Sequence, residues 1–241
     1  WAKIMKQKFS AQDPKSWMLR FHTQTAGCTL TAQEPENNAI RVTLQSLAAV
    51  LGGTQSLHTN SRDEALALPS EDSVKLALRI QQLIAYESGV TNIIDPLGGS
   101  FCIESITNRL EKEANEYLTE IEAMGGAIAA IENGYFQKEI HNSAYQYQKK
   151  VESGEISVVG VNKFIGETRT NYSILKVAPK VVKNQLNRLK KVKSKRDSKK
   201  INLALTNLIE SAMNNLNLME PILECVKEYA TVGEISDVLR K

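Results

Sequence analysis

The chain has 241 residues, 42% hydrophobic and 24% charged, with a formal net charge of +3. That suits a globular protein of one large domain, or a domain with an appendage, and gives no global field toward nucleic acid. No apolar run approaches the ~18 residues of a membrane span, no signal peptide stands out, and three cysteines without metal-type spacing, Cys28, Cys102 and Cys225, fit a reduced, cytoplasmic compartment.

Trp1, Ile4, Met5 and Lys8 recur at helical spacing, and Asp13-Pro14 ends that segment. Trp17–Gln24 reads as a short strand running into Thr25-Ala26-Gly27. A helix is predicted over 35–51, with Pro35 in its first turn and a buried stripe of Ile40, Leu44, Leu47, Ala48 and Leu51. Gly52-Gly53 stops it, and Thr54–Asn60 reads as a second strand. Strand, helix and strand in that order make a βαβ unit, hence a parallel sheet with a right-handed crossover.

Ser70 is placed to cap the next helix, with Glu71 and Asp72 at its positive end and Leu76, Ile80, Leu83 and Ile84 as its apolar stripe. Gly89 ends it and Asp95–Gly99 forms a turn. Ile103, Ile106, Leu110, Ala114, Tyr117, Leu118 and Ile121 mark a long helix up to Gly125-Gly126. A short helix to Glu132 and another carrying Phe136, Ile140, Ala144, Tyr147 and Val151 follow; the β-branched run Ile156–Val161 reads as a strand. Residues 166–176 read as a connector. Beyond it come a helix with Val182, Leu186 and Leu189 among many lysines, one with Ile201, Leu205, Leu208 and Ala212 in phase, a short one opened by Pro221, and a last one with a capping box at Thr231 and Glu234. The lysine-rich helix carries no interleaved aromatic residues, so a solvated face packed against protein is preferred to a nucleic-acid surface.

No phosphate loop, Rossmann glycine pattern, zinc spacing or nucleophile elbow is present. Candidate chemistry therefore sits at the two strand ends. Strand alternation puts His22 and Gln24 on one face, where they either hydrogen-bond a ligand or fill a polar layer. Gly27 either lets a flat ligand approach the backbone or only makes a turn. His58 and Asn60 alternate with Ser56 and read as supports of the rim rather than direct contacts. Of the adjacent acids Asp63 and Glu64, a carboxylate aimed into a pocket could accept hydrogen bonds from paired sugar hydroxyls; the plain alternative is a solvated helix-terminal turn.

These residues resemble a known family. Arg20–Gly27 (RFHTQTAG), Asn37-Asn38, Gly53–Asn60 (GTQSLHTN), Asp63–Pro69 (DEALALP), Glu87–Gly89, Asp95-Pro96, Val159–Lys163 (VGVNK) and Thr231–Ser236 (TVGEIS) occur in this order in the large subunit of the methylmalonyl-CoA mutases. The resemblance covers essentially the whole chain. It implies the C-terminal portion of a (β/α)8 TIM barrel over residues 1–165, followed by a mostly helical extension over 166–241. It also implies an isomerase that uses adenosylcobalamin to exchange a hydrogen and a thioester-bearing group between neighbouring carbons by a radical route. The acyl-CoA substrate threads the barrel, and cobalamin lies between the barrel and a cobalamin-binding domain or small subunit, in a dimer or heterodimer.

By motif, Gln24 and Gly27 look like residues facing the corrin and substrate. Glu64 looks like the carboxylate near the adenosyl ribose, Ala67 and Leu68 like apolar contacts beside it, and His22, His58 and Asn60 like supports. The family's substrate-contacting residues are expected upstream of Trp1, so none of the catalytic residues and no metal ligand is expected here, and the chain reads as a piece of a longer one, inactive alone. Where the family often has Ser-Gly-Trp, this chain has Ala26-Gly27-Cys28. Related mutases acting on isobutyryl-CoA or 2-hydroxyisobutyryl-CoA, and a non-catalytic helical interaction module, are the alternatives.

Overall fold

A computed structural model describes residues 1–166 and 174–240. The chain divides into two compact units, Trp1–Leu175 and Lys176–Lys241. The predicted connector spans the point of division, and most of it, 167–173, lies outside the described residues.

The first unit is mostly helical around a two-stranded parallel sheet. It opens with α1 (Ala2–Gln7) and α2 (Pro14–Trp17). The Asp13 carboxylate accepts from the Lys15 amide and Pro14 fixes the first helical φ, so Trp17 closes a helical turn instead of opening a strand. The strand β1 is shorter than expected, His22–Gln24. After it come α3 (Glu36–Leu51) and β2 (Ser56–His58). The strands pair in parallel with His22 opposite Ser56, Thr23 opposite Leu57 and Gln24 opposite His58. The Gln55 amide donates to the Phe21 carbonyl at 3.1 Å and the Thr25 amide to that of His58 at 3.1 Å, so the ladder extends slightly past both ends.

Ser70 caps α4 (Glu71–Glu87), its hydroxyl accepting from the Ser73 amide. Helices α3 and α4 hold the core of this unit, Leu30, Val42, Ile80 and Ile84, with Ala39, Leu47, Val50 and Val90 against it. The buried line of α3 is Asn38, Val42 and Ser46, not the predicted stripe: Ile40 and Leu44 are 63% and 64% exposed. Two adjacent lines on a helix can both carry the 3.6 period. Here the more polar one wins because its polar groups are satisfied within the fold, the Ser46 hydroxyl by the Val42 carbonyl and Asn38 by its neighbours. In α4 the line is Ser73, Ala77, Ile80 and Ile84, and Leu83 faces out.

The unit continues through α5 (Phe101–Ala123), α6 (Ala127–Glu132) and α7 (Tyr135–Glu152). The predicted strand at Ile156–Val161 is a folded-back strap. The Asn162 side chain accepts from the Val158 amide and donates to the carbonyls of Val151 and Ile156, at 2.6–2.8 Å. The Gly160 amide donates to the Lys163 carbonyl. With its backbone groups taken locally, the β-branched run forms a single bridge, Val159 with Lys163, and no strand.

The described part of the second unit comprises α8 (Pro179–Lys195), α9 (Ser198–Met213), α10 (Met219–Lys227) and α11 (Val232–Leu239). Its core is Ala204, Leu208 and Cys225, flanked by Leu205, Leu218, Ile222, Ala230, Ile235 and Val238. Pro221 lies in the first turn of α10. The basic helix α8 buries no residue. No described helix is long and apolar enough to cross a membrane.

The predicted capping box at Thr231 and Glu234 is present, and Arg196 adds to it. Its guanidinium donates to both Glu234 oxygens and to the Tyr229 carbonyl. Arg196, opposed by partial burial and aided by the Thr231 amide and hydroxyl, holds the Glu234 carboxyl far below its ordinary value of 4.5. A carboxyl with a lowered folded-state pKa stabilises the fold above its unfolded value and loses that contribution as the pH falls. Acidification below about pH 4.5 is therefore expected to destabilise this unit. Glu234→Gln should cost about 1–2 kcal/mol at neutral pH and flatten the acid limb of a Tm-versus-pH curve. An acid limb unchanged in the variant would show that the pair is not coupled to stability.

Candidate functional site

One face of the small sheet is polar and open. His22, Gln24, Ser56 and His58 lie on it and are all exposed, while Thr23 and Leu57 alternate to the half-buried face. His22 Nδ1 lies 2.7 Å from the Ser56 hydroxyl at the start of this face. At its other end the Gln24 amide nitrogen donates to Asn60 Oδ1 at 3.0 Å.

Asn60 joins the two strand ends. It is 2% exposed, its backbone amide donates to the Thr25 hydroxyl, and its side-chain nitrogen donates to the Thr25 carbonyl, both at 2.9 Å. One residue earlier, the Thr59 hydroxyl donates to the Ala77 carbonyl and accepts from Gln81, which anchors the end of β2 on α4.

Gly27 starts a 3-10 turn, Gly27–Thr29, held from α3: Gln45 accepts from the Ala26 amide and donates to the Thr29 hydroxyl, both at 2.7 Å. A Cβ on Gly27 would sit 2.9 Å from Asn60 Nδ2 and 3.4 Å from Glu64 Oε1. Glycine is needed here for close approach rather than for a left-handed backbone.

The two adjacent acids have separate roles. Burial raises the pKa of Asp63, but the Ser70 amide, at 3.0 Å, and the hydroxyl dipoles of Ser61 and Ser73 outweigh it, so the group lies below its ordinary value. It ties the loop to the start of α4. Glu64 is exposed, stands beside Gly27, and among the described residues makes no ion pair. Ala67 lines a recess of about 240 Å³ with Asp63, Leu66 and Ser70, and Leu68 is 60% exposed.

The predicted residues Gln24, Gly27, Asn60 and Glu64 thus form one cluster. His22 lies one alternation back along β1, His58 pairs with Gln24 across the ladder, and Ala67 and Leu68 follow on the Glu64 loop. Sequence reasoning missed Thr25, Gln45, the buried Asn38 and the half-buried Arg41. A signal for Asn38 was available, an asparagine in phase with Val42 and Ser46 on the face that packs inward. Among the described residues no group of three or more His, Cys, Asp or Glu is placed to hold a metal ion.

A parallel βαβ unit with polar groups gathered beyond the carboxyl ends of its strands is the arrangement by which α/β enzymes hold ligands. A family model described as Methylmalonyl-CoA mutase matches residues 1–241, and the chain belongs to that family. It is 46% identical over 242 residues to the 2-hydroxyisobutanoyl-CoA mutase large subunit of Aquincola tertiaricarbonis, covering 100% of this chain and 43% of that protein. It is 40% identical over 243 residues to the methylmalonyl-CoA mutase of Rhizobium meliloti (strain 1021) and to the mitochondrial methylmalonyl-CoA mutase of Homo sapiens, covering 100% of this chain and 34% and 32% of those proteins. The chain therefore spans between about a third and less than half of the length of these relatives.

Gly27→Ala should push the Asn60 amide away from the Thr25 carbonyl and lower stability by about 1–3 kcal/mol. In an Asn60→Ala background, where the obstructing nitrogen is gone, the same change should cost less. Thermal melts of the two single variants and the double variant check this; equal losses in both backgrounds would disprove the close approach.

Proposed function

We propose that the chain supplies strands and rim of a (β/α)8 barrel in an adenosylcobalamin-dependent acyl-CoA mutase that interconverts methylmalonyl-CoA and succinyl-CoA. The supporting observation is the open polar face of β1 and β2, running from His22 and Ser56 to the Gln24–Asn60–Gly27–Glu64 cluster. In a closed barrel of parallel strands such a face lines the lumen, and the groups at its carboxyl end meet the ligand.

The residues present fit the cofactor. Gly27 leaves a gap beside Asn60 that any Cβ would fill, and the Glu64 carboxylate next to it is free to accept two hydroxyl hydrogen bonds. Gln24, Gly27 and Glu64, with Ala67 and Leu68 on the apolar side, would hold the cofactor. His22, His58 and Asn60 would orient them. When bound, adenosylcobalamin supplies a cobalt–carbon bond whose homolysis begins hydrogen exchange. The protein's part is to place the adenosyl group, shield it from water and present the acyl-CoA to it. A cobalamin-binding domain or small subunit is the partner that closes the other side, in a cytoplasmic dimer or heterodimer.

A second reading changes only the acyl group. The observation behind it is the higher identity to the 2-hydroxyisobutanoyl-CoA mutase large subunit, 46% against 40%, with a branched hydroxyacyl-CoA as the substrate it would imply.

Assayed in the complete mutase, Glu64→Ala should lower kcat more than Glu64→Gln, which keeps one acceptor oxygen. A hydrogen bond to a charged group contributes about 1.5–3 kcal/mol, so the alanine variant should lose roughly 10- to 100-fold. The KM for acyl-CoA should change little, because misplacing the adenosyl group leaves coenzyme A contacts intact. If Glu64 only favours a turn, Tm falls and kcat stays, and the assignment is wrong.

A further inference from the structure

The strap at 158–166 and the loop that carries Glu64 are separated by about a hundred residues of chain, yet one set of polar contacts around the N-terminal turns of α3 holds both. At the strap, the Glu34 carboxylate accepts from Asn37 Nδ2 at 2.8 Å and from the Gly166 amide at 3.2 Å. A Cβ on Gly160 would lie 2.8 Å from Glu34 Oε2, and one on Gly166 would lie 2.5 Å from Oε1, so the strap presents bare backbone to this carboxylate at two points. Arg41 grips the same strap, donating from Nη2 to the Val159 carbonyl at 2.7 Å.

From Arg41 the contacts lead toward the site. Its Nη1 donates to Asn38 Oδ1 at 2.8 Å and to the Thr31 hydroxyl at 2.9 Å. Asn38, fully buried, also accepts from the Thr31 amide and donates to the carbonyls of Thr31 and Arg62. The Arg62 carbonyl lies two residues before Glu64. Glu34 itself has φ +44, a left-handed conformation that a glutamate adopts only when its surroundings impose it. These backbone carbonyls and amides have specific side-chain partners, and the cation Arg41 and the anion Glu34 hold the strap from two sides.

Resting on the reading of Glu64 above, we infer that Glu34 and Arg41 are positioning residues: they clamp the Val159–Gly166 strap onto the start of α3 and, through Asn38 and the Arg62 carbonyl, set the placement of Glu64. Neither touches the ligand cluster. Loosening the clamp moves the Glu64 carboxylate by a fraction of an ångström to an ångström, a shift that lowers rate without removing substrate contacts.

The test is a double-mutant cycle in the complete mutase. Glu34→Ala should lower kcat about tenfold and leave the KM for acyl-CoA within about twofold. Gly166→Ala keeps the carboxylate but wedges the strap from it, and should give the same split; it serves where Glu34→Ala folds poorly. In a Glu64→Ala background either change should lower kcat much less than alone, because the group being positioned is gone. A full, multiplicative loss in that background, or a loss confined to Tm with kcat intact, overturns the inference while leaving the role of Glu64 standing. An unchanged kcat in Glu64→Ala alone overturns the site reading and this inference with it.

Discussion

The first unit depends on one buried amide. Asn38 sits at 0% exposure and satisfies both hydrogens and both lone pairs of its side chain, with Thr31 twice, Arg41 and Arg62. A buried carboxamide with any of these missing would cost more than a buried apolar residue gains, so the loop before α3, the loop after β2 and α3 itself must arrive together. That constraint explains why α3 turns its Asn38–Val42–Ser46 line inward and leaves Ile40 and Leu44 outside. The main apolar cluster of the unit is small: among the described residues it has four buried side chains, on α3, α4 and the Leu30 turn. Polar connection supplies the specificity that a core of this size cannot.

From that amide the site follows in two directions. Toward β2, the Arg62 carbonyl fixes the chain entering the Asp63-Glu64 turn, and Asp63 closes the turn onto α4 through the Ser70 amide. Toward β1, Gln45, two turns along α3, holds the Ala26–Thr29 segment. The two strand ends are then stitched by Asn60 to Thr25 and Gln24. Thr25, Gln45 and Asn38 thus hold the chain around the cluster from the interior, as a preformed binding surface would require.

Much of this was legible in the sequence. The strand–helix–strand order, the Ser70 cap and the Thr231–Glu234 box follow from local rules that act over a few residues, and all three are present. The strand ends as the place where polar groups gather also follow from the parallel topology. What failed did so for a common reason: one specific side-chain contact, near or far in the chain, overrode a pattern of propensity or period. The Ile156–Val161 run has strand propensity, but Asn162 takes its backbone groups into a turn. The Ile40–Leu44 stripe has the right period, but the neighbouring line carries the asparagine that the loops require. Trp17 looked like the start of a strand until Asp13 and Pro14 drew it into a helical turn. Arg41 and Glu34 gave no signal as strap anchors, because the backbone atoms they hold there, the Val159 carbonyl and the Gly166 amide, are more than a hundred residues away.

Four carboxylates differ in how far the fold has committed them. Glu234 is saturated by Arg196 and its own cap, Asp63 is tied to Ser70, and Glu34 holds a strap against strained backbone. Each accepts hydrogen bonds from groups of the fold, and its charge lowers the energy of a particular chain path. Glu64 is adjacent in sequence to one of them and has none of this: it is exposed, beside a glycine that cannot carry a side chain, at the end of a polar strand face. A carboxylate held in place by its backbone while its oxygens stay unspent adds little to stability. Its position is instead suited to accept hydrogen bonds from something that arrives.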